Sequence, residues 1–176
     1  MKMLAGAFLV PSVLLASMSH AGELDDEAAA KRPIYRVVEL SSRDGPSNSG
    51  TGINNQALIM GYTEAPDGAS RHAALWFYGF RSDLGTLGGP NSTIAWPVKN
   101  RIGLIAGIAQ TDIAEPLGQT WSCRSFFSAP TRSGFICSAV VWENGEIRAL
   151  PTLGGYNGFA TGANNRRQIV GWAQNT

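Results

Sequence analysis

The sequence predicts an exported all-β protein made of tandem four-stranded antiparallel units, propeller-like but incomplete, an open arc of about two and a half blades. Three observations predict it. Several independent motifs recur in one register, many of the 21 glycines sit between short β-favouring runs, and the first residues are ordered like a secretion signal.

The recurrence decides the architecture. Asp83-Leu84-Gly85-Thr86-Leu87-Gly88-Gly89 returns sixty-six residues on as Ala149-Leu150-Pro151-Thr152-Leu153-Gly154-Gly155. Ala73-Ala74-Leu75-Trp76 returns at the same interval as Ala139-Val140-Val141-Trp142. Thr51-Gly52-Ile53-Asn54-Asn55 reappears as Thr161-Gly162-Ala163-Asn164-Asn165. Leu58-Ile59-Met60-Gly61 matches both Leu104-Ile105-Ala106-Gly107 and Gln168-Ile169-Val170-Gly171. A worn copy precedes them, Glu39-Leu40 followed by Gly45 in register with Gly89. The unit is therefore about forty-four residues, and the second copy carries about twenty more between Gly107 and Cys137.

Each unit reads in the same order. A short strand ends at Asn-Asn or Lys-Asn, an apolar strand such as Ala57 to Tyr62 follows, a third closes on Trp, and a fourth ends at Leu-Gly-Thr-Leu. Asn144-Gly145 predicts a type I′ hairpin, because both central residues need positive φ. A β-sandwich with accidental self-similarity and a flat solenoid are the competing architectures; four strands per unit favour the blade. Ile34 to Leu40 supplies only a last strand. Complete units run from about Gly50 to Leu87 and from about Thr93 to Leu153, and a third begins at Asn157. A ring needs about four blades. The expectation is thus an open arc with Ile34 to Leu40 at one edge, either part of a longer repeat protein or closed by self-association through open sheet edges.

Residues 1–21 read as a signal peptide: Lys2, then an apolar run from Met3 to Met18, then Ser19-His20-Ala21 with small residues at the cleavage positions. A membrane anchor is the alternative, but the run falls short of the roughly 20 residues that span a bilayer. Residues 22–33 are a polar leader, and 34–176 the repeat domain. The protein is expected to be secreted, extracellular or periplasmic, with no membrane insertion after cleavage. Removing Lys2 from 14 basic residues leaves them equal to the 13 acidic ones, which argues against nucleic acid or an anionic membrane as partner.

With the repeat laid out, the chain resembles the HAF-repeat family of bacterial extracellular proteins. The matching residues are His72-Ala73-Ala74-Leu75-Trp76, Asp83 to Gly89, Ser92 with Ala95, Ile53-Asn54 and Gln168-Ile169-Val170-Gly171. The similarity covers nearly all of the chain from Ile34 onward. It departs at Ala74 and Val140, where the family motif has Phe, and at Ser138, where it has His. The resemblance implies export and a repeat fold, and carries over no catalytic residue.

Candidate chemistry is sparse. His72 is the one histidine left after signal cleavage, so any Ser-His-Asp or Cys-His site would need it; Ser138 in the next copy suits a structural polar role instead. One His and two Cys do not make a zinc set, and Asp44-Gly45 and Asp67-Gly68 lack calcium-loop spacing. No cofactor is expected. Trp76, Trp142, Leu87 and Leu153 hold repeat positions and are read as core. Cys123 and Cys137, the only cysteines, are expected to form a disulfide stapling the insertion to its strand. The inserted segment, with Trp121, Arg124, Phe126, Phe127 and Arg132, is the candidate binding loop, since the repeat does not need it and aromatic side chains can stack on a sugar or anchor a partner. The competing reading is a satellite cluster packed on the blade. The leading function is a non-enzymatic extracellular module, binding a glycan or protein or building a surface structure. The alternative is a secreted hydrolase or lyase on a propeller scaffold, which would require convergent, non-repeating acid, base or metal residues.

Overall fold

The computed structural model describes residues 35–119, 121–127 and 134–176. The segments read as signal peptide (1–21) and leader (22–33), with Ile34 and Arg132, lie outside the described residues. The chain divides into two units, 1–38 and 39–176. Of the first, only Tyr35–Val38 is described, and it carries no strand.

The second unit is a succession of antiparallel sheets in chain order. Strands β1 (Asn48–Ile53), β2 (Ile59–Glu64), β3 (Arg71–Phe77) and β4 (Phe80–Asp83) form the first meander. Strands β5 (Gly88–Thr93), β6 (Ile105–Ala114), β7 (Phe135–Glu143) and β8 (Glu146–Ala149) form the second, and β9 (Gly154–Ala163) with β10 (Ile169–Asn175) the third. The arrangement is open: two complete four-stranded units and a half, with no closed barrel or propeller among the described residues.

Three expectations need correction. Tyr35 to Leu40 is not a strand: the Leu40 carbonyl accepts a side-chain N–H from Asn48 in place of a ladder bond. The second strand starts at Ile59, since Ala57 sits at φ 60° inside the preceding turn. Leu-Gly-Thr-Leu does not end the fourth strand. β4 and β8 stop at Asp83 and Ala149, and the Leu-Gly-Thr-Leu and Leu-Pro-Thr-Leu segments cross to the next sheet, where Leu87 and Leu153 bridge Thr111 and Asn175.

The same side chains build each unit. Asn54, Asn100 and Asn164 each use Oδ1 to accept two backbone N–H groups in the turn between first and second strands, an Asx turn that pins the hairpin in every copy. Asn144-Gly145 has φ 54° and 83°, as the type I′ turn requires. Its counterpart is Tyr78-Gly79, at 48° and 85°. At Gly89, a Cβ would lie 2.7 Å from the Gln110 Cβ, and at Gly155 2.7 Å from the Gln174 Cβ, so the recurrent Gly answers close strand approach.

Between sheets the packing also recurs. Met60 and Ala73 of the first sheet meet Ile94, Val98, Ile105, Val140 and Trp142 of the second. One register later, Ala106 and Ala139 of the second meet Ala160 of the third. Trp76 and Trp142 are both 2% exposed, and their indole Nε1–H groups donate to Ser41 O and Leu84 O, the carbonyls just ahead of their own unit. Each Trp thus ties a third strand to what precedes it, and its burial contributes about 4–5 kcal/mol by area.

Candidate binding surface

The described residues of the inserted segment, up to Phe127, contact all three sheets. It contains one turn and a half of helix, α1 (Trp121–Phe126), ahead of which Glu115 Oε2 accepts the N–H groups of Leu117 and Gln119. The disulfide Cys123–Cys137, with Cα atoms 5.5 Å apart, joins α1 to β7 as expected. Arg71 occupies the position in β3 that Cys137 occupies in β7. Its guanidinium donates to Phe126 O at 3.0 Å while pairing with Glu64 at 2.7 Å and lying over the Tyr62 ring. Equivalent positions of two third strands therefore hold the same helix, one by a covalent bond and one by a charge-assisted hydrogen bond.

The third sheet holds the segment through polar groups. Asn157, fully buried, accepts the Cys137 N–H at 3.1 Å and donates to Gln119 O at 2.9 Å and to Gln174 Oε1 at 3.1 Å. Gln174 also donates to the Gln119 side chain. Asn91 with Gln110 is the same pair one unit earlier, 2.7 Å apart and buried, and Ser47 with Glu64 the same again in the first unit. These pairs join first and second strands at the end of each sheet over which the insertion runs.

The candidate loop residues divide accordingly. Phe127 is 2% exposed and packs with Ile108, Cys123 and Cys137, so it faces inward. Arg124 is exposed on α1. Trp121 and Phe126 join an aromatic cluster completed by residues from two sheets. Trp96 and Phe159 stack at 5.6 Å, and Phe159 and Trp172 at 6.0 Å. Phe126 meets Trp96 and Phe159 edge-on, and Trp121 meets Trp172 at 4.1 Å. On the rim, Trp96 is 37% exposed and Trp121 42%.

Trp96, Phe159 and Trp172 escaped the sequence reading, though a signal existed. In register they replace Gly52 and Gly162, Ser49 and Thr93, and Tyr62 and Ile108. Aromatic outliers at repeat positions are not demanded by the repeat.

His72 Nδ1 lies 3.0 Å from both Asp83 carboxylate oxygens, and Arg43 is 3.6 Å from the same group. Burial would raise the Asp83 pKa. Hydrogen bonds from His72 and the Gly85 N–H, with the charges of His72 and Arg43, outweigh it and hold the carboxyl below the usual range. The pair pins β3 to β4. Ser138 and Ala149 stand at the corresponding positions of the second unit, which holds together without it. Among the described residues there is no group of three His, Cys, Asp or Glu suited to a metal. No described helix is long and apolar enough to cross a membrane.

Geometry and connectivity define an open β-repeat protein with a disulfide-braced insertion. Comparisons with family models, curated proteins and solved structures returned no match.

Proposed function

We propose that this chain is an exported, non-enzymatic repeat module of the HAF type that binds an extracellular glycan on the aromatic surface around α1. The observation that carries the reading is the pair of half-exposed indoles, Trp96 and Trp121, backed by a rigid aromatic cluster and flanked by exposed Arg124. A fixed indole face stacks on the C–H surface of a sugar ring with little entropy to lose, and Arg adds directional donors to hydroxyl groups. The disulfide suits an oxidising compartment. A glycan screen of the chain, followed by titration of hits with Trp96→Ala and Trp121→Ala variants, tests the proposal. Each variant should weaken binding by about tenfold or more. Unchanged affinity in both would overturn the surface, and hits confined to proteins would replace the glycan with a protein partner.

A further inference from the structure

The turns between first and second strands are built alike in each sheet, around Asn54, Asn100 and Asn164. Their charge is not alike. The first reads Ile53-Asn54-Asn55-Gln56-Ala57 and carries none. The second places Lys99 just before its Asn and Arg101 just after it, and the third places Arg166 and Arg167 shortly after its Asn. An uncharged copy folds into the same turn, so the fold does not require the basic side chains.

The second and third turns touch. Asn165 Oδ1 accepts the Arg101 N–H at 2.6 Å, and Asn100 donates to Ala163 O at 3.2 Å. The two turns are thereby fixed against each other, and their basic residues stand on one ridge. Arg167 is a tie within it: it sits at φ 61°, where the second turn has Gly103, and pairs with Glu143 at 2.8 Å. Lys99, Arg101 and Arg166 are exposed and form no ion pair among the described residues. Residues 55–57 and 101–103 are exposed although a further sheet follows each, so the exposure belongs to the turn itself. With 14 basic against 13 acidic residues in the chain, the ridge is a local excess in an otherwise balanced protein.

We propose that this ridge binds an acidic polysaccharide, a chain carrying carboxylate or sulfate groups along its length. Unpaired cations on two fixed turns attract a chain of anions more strongly than one small anion, because once the first group is bound the next binds at high effective concentration. The groups are solvated, so the attraction is screened by salt. The ridge is too small for duplex DNA, whose binders commonly contact about 6–10 phosphates. It uses none of the residues of the aromatic surface around α1 and does not depend on sugar stacking there.

The full chain is titrated with polygalacturonate, dextran sulfate, neutral dextran and duplex DNA at about 50 mM salt and again at about 300 mM. At least one acidic polysaccharide should bind, neutral dextran should not, and the higher salt should weaken binding by about tenfold or more. The tighter of the two acidic polymers assigns carboxylate or sulfate. Replacing Lys99, Arg101 and Arg166 together by Gln should weaken binding by about tenfold or more. The urea midpoint should not move, because none of the three side chains makes a hydrogen bond or ion pair among the described residues. Arg148→Gln removes an exposed arginine from β8 and controls for overall charge; it should change affinity by less than about twofold. Neutral dextran bound as tightly as the acidic polymers, DNA bound more tightly than either, or no acidic polymer bound at the lower salt would overturn the proposal. So would an unaffected triple variant, or an equal loss in Arg148→Gln.

Discussion

Asn157→Ala is the sharpest test of how the second sheet, the third sheet and the insertion are locked together. The side chain is fully buried and touches three parts of the chain, β7 at the Cys137 N–H, the insertion at Gln119 O, and β10 at Gln174. Truncation leaves the Cys137 N–H, itself fully buried, with no acceptor, at about 1–3 kcal/mol. Losing the donor to Gln119 O adds about 0.5–1.5 kcal/mol. Gln174 Oε1 keeps the N–H groups of Tyr156 and Asn157, so its loss is minor. The sum is a destabilisation of about 1.5–4.5 kcal/mol. Urea unfolding should show a lower midpoint with an unchanged slope, and hydrogen exchange should show faster exchange at the Cys137 amide in particular. Asn157→Asp keeps the acceptor for Cys137 but turns a carboxylate oxygen toward Gln119 O and Gln174 Oε1, so it should leave the Cys137 amide protected while still destabilising the protein. A loss under about 0.5 kcal/mol, or an unaltered Cys137 amide in Asn157→Ala, would refute the assignment of Asn157 as the junction.

Replacing Cys123 and Cys137 by Ser should cost on the order of 3 kcal/mol for a loop of about fifteen residues; denaturation of the double variant checks this, and two alkylatable thiols in the native protein would contradict the bridge. Hydrogen bonds from Arg71 and Ser47, with the Arg71 charge, hold the Glu64 pKa below its usual value against the opposing effect of burial. Asp83 is held low as well. Depressed carboxyl pKa values contribute stability that is fully present above about pH 4.5 and is lost as pH falls through the lowered values. Stability should therefore fall on acidification, and a Glu64→Gln, Asp83→Asn variant measured from pH 6 down to pH 3 should show a flatter slope. Tyr78 is exposed at φ 48° in a turn position that favours Asn, so Tyr78→Asn should stabilise by roughly 0.5–1 kcal/mol, read as a raised urea midpoint.

Local chemistry and register were legible in the sequence by itself. Asn144-Gly145 named its turn because the residues that tolerate positive φ are few. Trp76 and Trp142 named themselves as core because a side chain recurring at one repeat position meets the same surroundings in each copy. The strand order followed from the same periodicity, and the cysteine pair from count and spacing. Only the tertiary structure decided what the insertion does. Its contacts to Arg71, Asn157 and Trp172 join residues far apart in the chain, and no periodicity links them. Phe127 and Trp121 lie six residues apart on one segment, yet one is buried and the other half-exposed, because Phe127 packs beside the disulfide against Ile108 while Trp121, at the start of α1, lies on the rim of the aromatic cluster. Leu153 shows the limit from the opposite side: its position in the repeat predicts a core residue, yet it is 71% exposed, whereas Leu87 at the equivalent position packs against the cluster around Trp142.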